Sequence, residues 1–545
     1  MPFNGDENVA CNQNAIGACS EANGSNTTAL GFASQAEGAQ TISAGDASHA
    51  EGSGTLSNGF VSHAEGFQTN AVGDASHAEG SLTTAGGFVS HAEGFQTNAM
   101  GDASHAEGSL TTASGFAAHA EGFQTTASGS GAHAEGFNTT ASGEQSHAEG
   151  ISTTASGSIS HAEGNTTTAS ASNTHAEGFG TIASGPQAHA EGLDTIAAGG
   201  SSHAEGVQTQ ALGLRSHAEG FLSIASGTSS HAEGAVTQAT GAAAHAEGQN
   251  TIASGDRSHA EGLSTLASGL NSHAEGASTT ASGNNSHAEG SGTTASGMSS
   301  HAEGSTTTAS GLNSHAAGQS TVADAINSFA GGFNTNTGGL TGAYIMGQNG
   351  TARFPNSFHV ANGMAIGPTL NSVILDGPGG NLFLDGAVFS PAAADYAEMF
   401  ETLDSKPIEP GYFVKLEGEK IRLATDTDMY VLGVTSATPA IVADSCDLHW
   451  HGLFEKDLFG RILKDENGDR ILNKDYNPNL TYVPRRERPE WVAVGMLGKL
   501  IVWDDGSCVV GGYCKPNAQG KATAANDGYL VMKRINESLI RILYR

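Results

Sequence analysis

Three sets of residues in this chain have types and spacings that could do chemistry. In the first, the phrase Ser-His-Ala-Glu-Gly places a histidine at residue 49 and again every fourteen residues to His315, twenty times. A neutral imidazole and a carboxylate two residues apart can share a proton or form a charge-assisted hydrogen bond. Nineteen such pairs, the last histidine having Ala317 in place of a glutamate, suit a repeated structural bond better than catalysis, which needs one preorganised site. In the second, Asp395 and Glu398 stand three residues apart beside the Ala394–Asp395 bond. Peptide hydrolysis needs a base to activate water and an acid to protonate the leaving amine, and two carboxylates with separated pKa values can do both. Ala394 has no hydroxyl for an acyl shift, and Ser390 is the one hydroxyl close by in the sequence. The third set, Asp447, His449, Trp450 and His451, contains a His-x-His that could bind a metal from one strand face. Packing is its expected role, with His451 as an auxiliary candidate for the chemistry at Asp395.

The elements that carry the His/Glu pair follow from the period. A fourteen-residue repeat is too short for a helix pair and suits one turn of a β-solenoid. The consensus S-H-A-E-G-x-x-T-T-A-S-G-x-x runs from Glu21 to Gly347. Alternation along a strand puts Ser, Ala and Gly of the phrase on one face and His and Glu on the other. It also turns the paired threonines, such as Thr111 and Thr112, to opposite faces. A coil lined by Ala, Gly, Ser and Thr is thin and gains most by packing against copies of itself. Phe67, Phe95, Phe123, Phe137, Phe179 and Phe221, with Leu193 and Leu263, predict a discontinuous apolar stripe along one edge.

This repeat resembles the head repeat of trimeric autotransporter adhesins, usually S-V-A-I-G with A-x-G following. The resemblance implies a left-handed parallel β-roll with three rolls packed side by side. It also implies that His63, Glu65, His77, Glu79, His91 and Glu93 form an interface ladder where the family carries valine and isoleucine. Around a three-fold axis, each histidine would then meet a glutamate of the next chain.

After Gly347 the period decays. Residues 348–394 read as a β-rich neck in which Ser372–Leu375 and Leu382–Leu384 could interlace, one strand from each chain. Residues 395–545 alternate as β-strands, with a short helix expected near the end. Their opening, Asp395-Tyr396-Ala397-Glu398, resembles the intramolecular-chaperone autoproteolytic domain of phage tail spikes and fibres, a glutamic-type self-cleaving peptidase family. The resemblance implies a domain that drives trimer folding and then cuts itself off at Ala394–Asp395. Asp395 and Glu398 are the catalytic candidates. The expected organisation is an N-terminal attachment segment and first rung (1–20), a β-roll shaft (21–347), the neck (348–394) and the chaperone domain (395–545). The fold class is all-β throughout.

Charge narrows the partners. Before residue 395 there are three basic residues, Arg215, Arg257 and Arg353, against 32 acidic ones, and the last 151 residues carry 19 basic and 23 acidic. An anionic roll repels nucleic acid and anionic membranes, so neither is an expected partner. None of the five cysteines forms a CxxC pair, so no metal and no cofactor is expected; Cys11 and Cys19 could cross-link chains. The start lacks a basic and an apolar region, so no signal peptide is expected, and no run of ~20 apolar residues is present. The reading is a trimeric, rod-like fibre or appendage, on a virion or on a cell or spore surface. It would attach to a larger particle through its N-terminus and meet a host receptor or glycan. Its one enzymatic activity would be self-cleavage. A spore or cell-surface adhesin subunit and a ligand- or ice-binding solenoid are the alternatives; Asn70 and Ile224 interrupt the threonine row that ice binding would need.

Overall fold

The computed structural model describes residues 12–364, 370–389 and 394–545. Cys11, Ser390 and the first part of the attachment segment lie outside the described residues. The chain divides into two compact units, Met1–Gly386 and Ala387–Arg545.

The first unit is a parallel β-solenoid of about 25 turns. Each turn pairs with its neighbours in fourteen-residue register, so that His63 lies between His49 and His77 and Ala64 between Ala50 and Ala78, until the step from Phe329 to Tyr344, which is fifteen residues. One rung holds two short strands, such as His63–Phe67 and Asn70–Ala71. Its interior is Ala64, Thr69 and Ala71, all fully buried, with Ser62 beside them. The hydroxyl of Ser62 donates to Gly59 O at 2.7 Å, so an inward polar group is satisfied within its own turn. The paired threonines split as their alternation predicts: Thr111 is buried and Thr112 half-buried.

The glycine of the phrase departs from the expected inward face. Gly66 is exposed at a corner with φ +111°, and a Cβ built there would lie 2.1 Å from Gly80 O on the next rung. Two constraints therefore act at this position: a left-handed backbone and the approach of the neighbouring carbonyl. The second glycine of the repeat is also closely approached, yet alanine occupies that row at Ala171 and Ala325.

Beyond the repeat, Tyr344–Thr351 and Phe358–Asn362 continue the parallel stack. Asn371–Asp376 then pairs antiparallel with Phe358–Asn362 and with Asn381–Leu384. The segments expected to interlace between chains are thus joined in one chain as a hairpin, because Gly377 to Gly380 forms a tight turn. His359, fully buried here, accepts N–H groups from Arg353 and Phe354 at 3.1 and 3.3 Å and contacts Tyr344 O through Nδ1 at 3.2 Å. Burial holds its pKa below the usual histidine value.

The second unit is a ten-stranded sheet centred on the long strand Trp491–Trp503, which pairs with Asp395–Glu401, Gly433–Thr435 and Leu539–Tyr544. Phe413, Val434, Val502, Ile540 and Ile542 form its core. The expected terminal helix is instead the hairpin Tyr529–Asn536 and Leu539–Tyr544. In Leu539–Tyr544 every second residue is buried, a period of two that a helix cannot satisfy.

Candidate functional sites: the cleavage strand and the His/Glu ladder

Asp395 opens the strand Asp395–Glu401 and lies antiparallel to Gly498. Alternation places Asp395, Ala397 and Met399 on the buried side and Glu398 on the half-exposed side. Asp395 is only 7% exposed, and its Oδ2 has no hydrogen-bond partner. No hydrogen bond joins it to Glu398, so the two carboxylates that the sequence sets side by side point to different faces of one strand. Thr435, Ser436, Thr438, Lys499 and Arg541 line a cleft of about 450 Å³ together with Ala394 and Asp395. These hydroxyls come from a distant strand end and were not legible from local sequence.

The carbonyl of Ala394 has its own donor: Lys499 N–H reaches Ala394 O at 3.3 Å. Gly498 makes the approach feasible. Its φ is +123°, and a Cβ built there would lie 2.2 Å from Ala394 O. A backbone N–H aimed at a carbonyl stabilises the oxyanion that forms when that carbonyl is attacked. The sequence signal for Gly498 was a glycine inside the long β-run WVAVGMLGKLIVW, which often marks close backbone approach.

His451 lies in a turn rather than on a strand. Its Nε2 is 3.7 Å from Asp444 Oδ1 and accepts from Lys456 Nζ at 3.4 Å. Burial, and then Lys456, holds its pKa down. The Asp447 carboxylate pairs with Arg486 at 3.3 Å, so this group is bound into the surface of its own unit.

In the roll, His and Glu form two parallel stacks on one face. Successive imidazoles are 4.8 Å apart and tilted by only 7° and 2° from His63 through His77 to His91. Most of the histidines lie close to the glutamate of their own rung, of the rung before it, or of both. His91 Nε2 is 3.9 Å from Glu93 and 3.6 Å from Glu79, and His63 Nε2 is 4.0 Å from Glu65 and 3.7 Å from Glu51. The partner expected from a neighbouring chain is therefore already present in the same chain. Sets such as His119, Glu121 and His133 bring three donor atoms within 4.8 Å, wider than the roughly 3.3 Å between ligands of one tetrahedral zinc.

The stacked glutamates also bond to one another. Hydrogen bonds that Glu79 donates to Glu93 and Glu65 push it up to about 7, and those that Glu107 donates to Glu121 and Glu93 do the same to Glu107. Glu191 and Glu261 are likewise raised to about 7 by their neighbours. Between them, Glu65 and Glu93 are held below the usual carboxylate value, chiefly by the hydrogen bond from Glu79. From Glu65 to Glu107 the carboxyls thus alternate between proton acceptor and donor. Burial, with the neighbouring imidazoles second, lowers His77 and His105 and favours their neutral form.

Comparison with known proteins finds two families to which parts of the chain are similar. Eight stretches between residues 22 and 335 match the YadA head domain repeat, and residues 355–539 match the IMC autoproteolytic cleavage domain, Peptidase_G2. The chain is therefore similar to YadA-type head repeats over parts of its first unit and to an autoproteolytic cleavage domain toward its C-terminus, and Ala394–Asp395 lies inside the matched span. Among curated proteins it is similar to the pre-neck appendage protein of Bacillus phage B103, 36% identical over 126 residues, 22% of this chain and 14% of that one. The counterpart in Bacillus phage phi29 is 39% identical over 117 residues, 20% and 14% of the two chains. The putative phage-related protein YobO of Bacillus subtilis (strain 168) is 34% identical over 172 residues, 29% and 21%. The chain thus spans less than a quarter of the length of these relatives. Among solved structures, the pre-mature bacteriophage phi29 gene product 12 aligns over 97% of this chain and 71% of its own at 15% identity, with a TM-score of 0.40. The C-terminal fragment of the same product aligns over 28% of this chain and all of its own at 32% identity, with a TM-score of 0.24.

Proposed function

We propose that the protein is a trimeric phage appendage or fibre whose C-terminal domain assists trimer folding and is then released by self-cleavage at Ala394–Asp395. The observation that carries this reading is the union in one chain of a YadA-type roll and an autoproteolytic domain. The roll's need for partners supports the trimer. Its interior is alanine, threonine and serine, so each rung buries little apolar surface for fourteen ordered residues. The His/Glu face, half-buried in one chain, is the face we assign to the three-fold contact. The resulting rod would attach to a virion and serve as an adhesin or spacer.

For the cut, Lys499 N–H would stabilise the oxyanion on Ala394, and water would enter from the cleft lined by Thr435, Ser436 and Thr438. Asp395, with an unpaired buried Oδ2 beside its own amide nitrogen, is placed to protonate the leaving amine. Glu398 would be the base that activates the water. Since it sits on the other face of the strand, we assign it to the bond of a neighbouring chain, which makes cutting conditional on assembly.

Intact-mass spectrometry of the purified full chain tests this. The expected products are an N-terminal piece of 394 residues and a C-terminal piece of 151 beginning at Asp395. Glu398→Gln should leave a full-length trimer. A chain that stays whole under folding conditions, and trimerises without residues 395–545, would overturn the proposal.

A further inference from the structure

One edge of the roll carries a longer period than fourteen. At the turn after the second glycine of each repeat, phenylalanine and aspartate alternate: Phe32, then Asp46, Phe60, Asp74, Phe88, Asp102 and Phe116. The four rings are 57%, 57%, 58% and 63% exposed. The aspartates are exposed too, and each is tied to the ring before it: Phe60 N–H donates to Asp74 Oδ1 at 2.8 Å and Phe88 N–H to Asp102 Oδ1 at 2.9 Å. With rungs 4.8 Å apart, successive phenylalanines are separated by two rungs, a rise of about 9.6 Å along the roll.

This row is a poor contact for a second copy of the chain. Burying an exposed carboxylate without a cation is costly. No lysine or arginine occurs before Arg215, so a partner roll in register offers none. Histidine does not fill the gap, because the ladder histidines stand on the strands, within 3.6–3.7 Å of glutamates of their own chain, and not at this turn. The phenylalanines therefore stay at the water surface, where four ordered, regularly spaced apolar rings have no role in holding the fold.

We infer that this edge binds a neutral, extended, β-linked polysaccharide, one disaccharide per two rungs. The apolar C–H face of a pyranose covers an aromatic ring, while its hydroxyls donate to carboxylates. In an extended β-linked chain the same ring face recurs every second sugar, so a ring every second rung and a carboxylate between meet like groups throughout. A regularly spaced row selects an extended polymer of matching repeat, and the strongly acidic roll selects against an anionic one. The inference deepens the adhesin role proposed above and rests on it.

The test is calorimetric titration of the full chain with cello- and chito-oligosaccharides of two, four and six sugars. Affinity should climb with each added disaccharide. Phe60→Ser with Phe88→Ser should weaken hexasaccharide binding about tenfold, the loss of two aromatic contacts, with melting temperature and trimer state unchanged. Phe123→Ser with Phe137→Ser, on the other edge, should leave binding as it was. The inference is overturned if neither series binds, if affinity does not depend on length, or if both edge variants weaken it alike. A trimer by light scattering that binds neither series would sink this inference and leave the appendage reading standing. Capture of a protein in place of the sugars would mark the edge as a protein contact instead.

Discussion

Replacing Glu79, Glu107, Glu191 and Glu261 together by glutamine should stabilise the roll at pH 8 and leave it nearly unchanged at pH 5. These four carboxyls are raised to about 7 by hydrogen bonds with neighbouring glutamates. A carboxyl with a raised folded pKa contributes stability that is complete below its unfolded value, near 4.5, and is lost as pH rises through about 7. A shift of this size corresponds to at most ~3.4 kcal/mol per group. The four side chains are 30–33% exposed, and screening by water reduces this to about 1–2 kcal/mol each. Glutamine donates to the same neighbours and does not titrate, so the variant escapes a loss of about 4–8 kcal/mol. For the roughly 350 residues of the roll unit, an unfolding entropy near 0.7 kcal/mol/K converts this to about 6–11 °C at pH 8. The assay is the difference in melting temperature between variant and parent at each pH, which cancels the histidines common to both. Equal differences at pH 5 and pH 8 would refute the alternating carboxyl column.

Four further outcomes follow from the same geometry. Mixing Asp395→Asn chains with Glu398→Gln chains during folding should restore cutting of the Glu398→Gln chains, seen by mass spectrometry, if Glu398 acts across the assembly; no cutting in the mixture would place it in its own chain. Gly498→Ala should abolish cleavage and lower domain stability, because the added methyl meets Ala394 O; Lys499→Ala, which keeps the backbone N–H, should cut normally. Gly122→Ala should cost the roll more than ~3 kcal/mol, measured by thermal unfolding, since φ +105° and the carbonyl of Gly136 both oppose a side chain. In acid, the lowered histidines lose stability as pH falls below 6.5, and protonation of the acceptor glutamates removes the last counter-charges. The rod should therefore melt or dissociate abruptly below about pH 4.

The fold of the roll was legible because one period fixes almost everything in it. Fourteen residues set the register, and alternation sent Ala64 and Thr69 inward and His63 and Glu65 outward. Gly66 escaped that logic because a corner, unlike a strand, does not alternate. The alternation of Phe60 with Asp74 escaped for another reason: a consensus written at fourteen residues averages two kinds of rung into an unmarked position. In the second unit most strands were legible from alternation, but Leu539–Tyr544 is short and mostly apolar, and its pairing with Gly498–Trp503, with every second residue buried, makes it a strand.

The cleavage site shows where linear reading ends. Asp395 and Glu398 look like a dyad on paper because three residues separate them, a spacing that brings side chains together on a helix and apart on a strand. The chain folds this segment as a strand, so the carboxylates part, and the groups around the Ala394 carbonyl come from Thr435–Thr438 and from Gly498–Lys499, about 40 and 100 residues away. The backbone N–H of Lys499 reaches that carbonyl only when Trp491–Trp503 has paired with Asp395–Glu401. A bond polarised by a strand pairing cannot be cut efficiently until the pairing exists. On the proposed reading, folding of the second unit is a precondition for its own release, which is the order of events that a domain acting first as a folding aid requires.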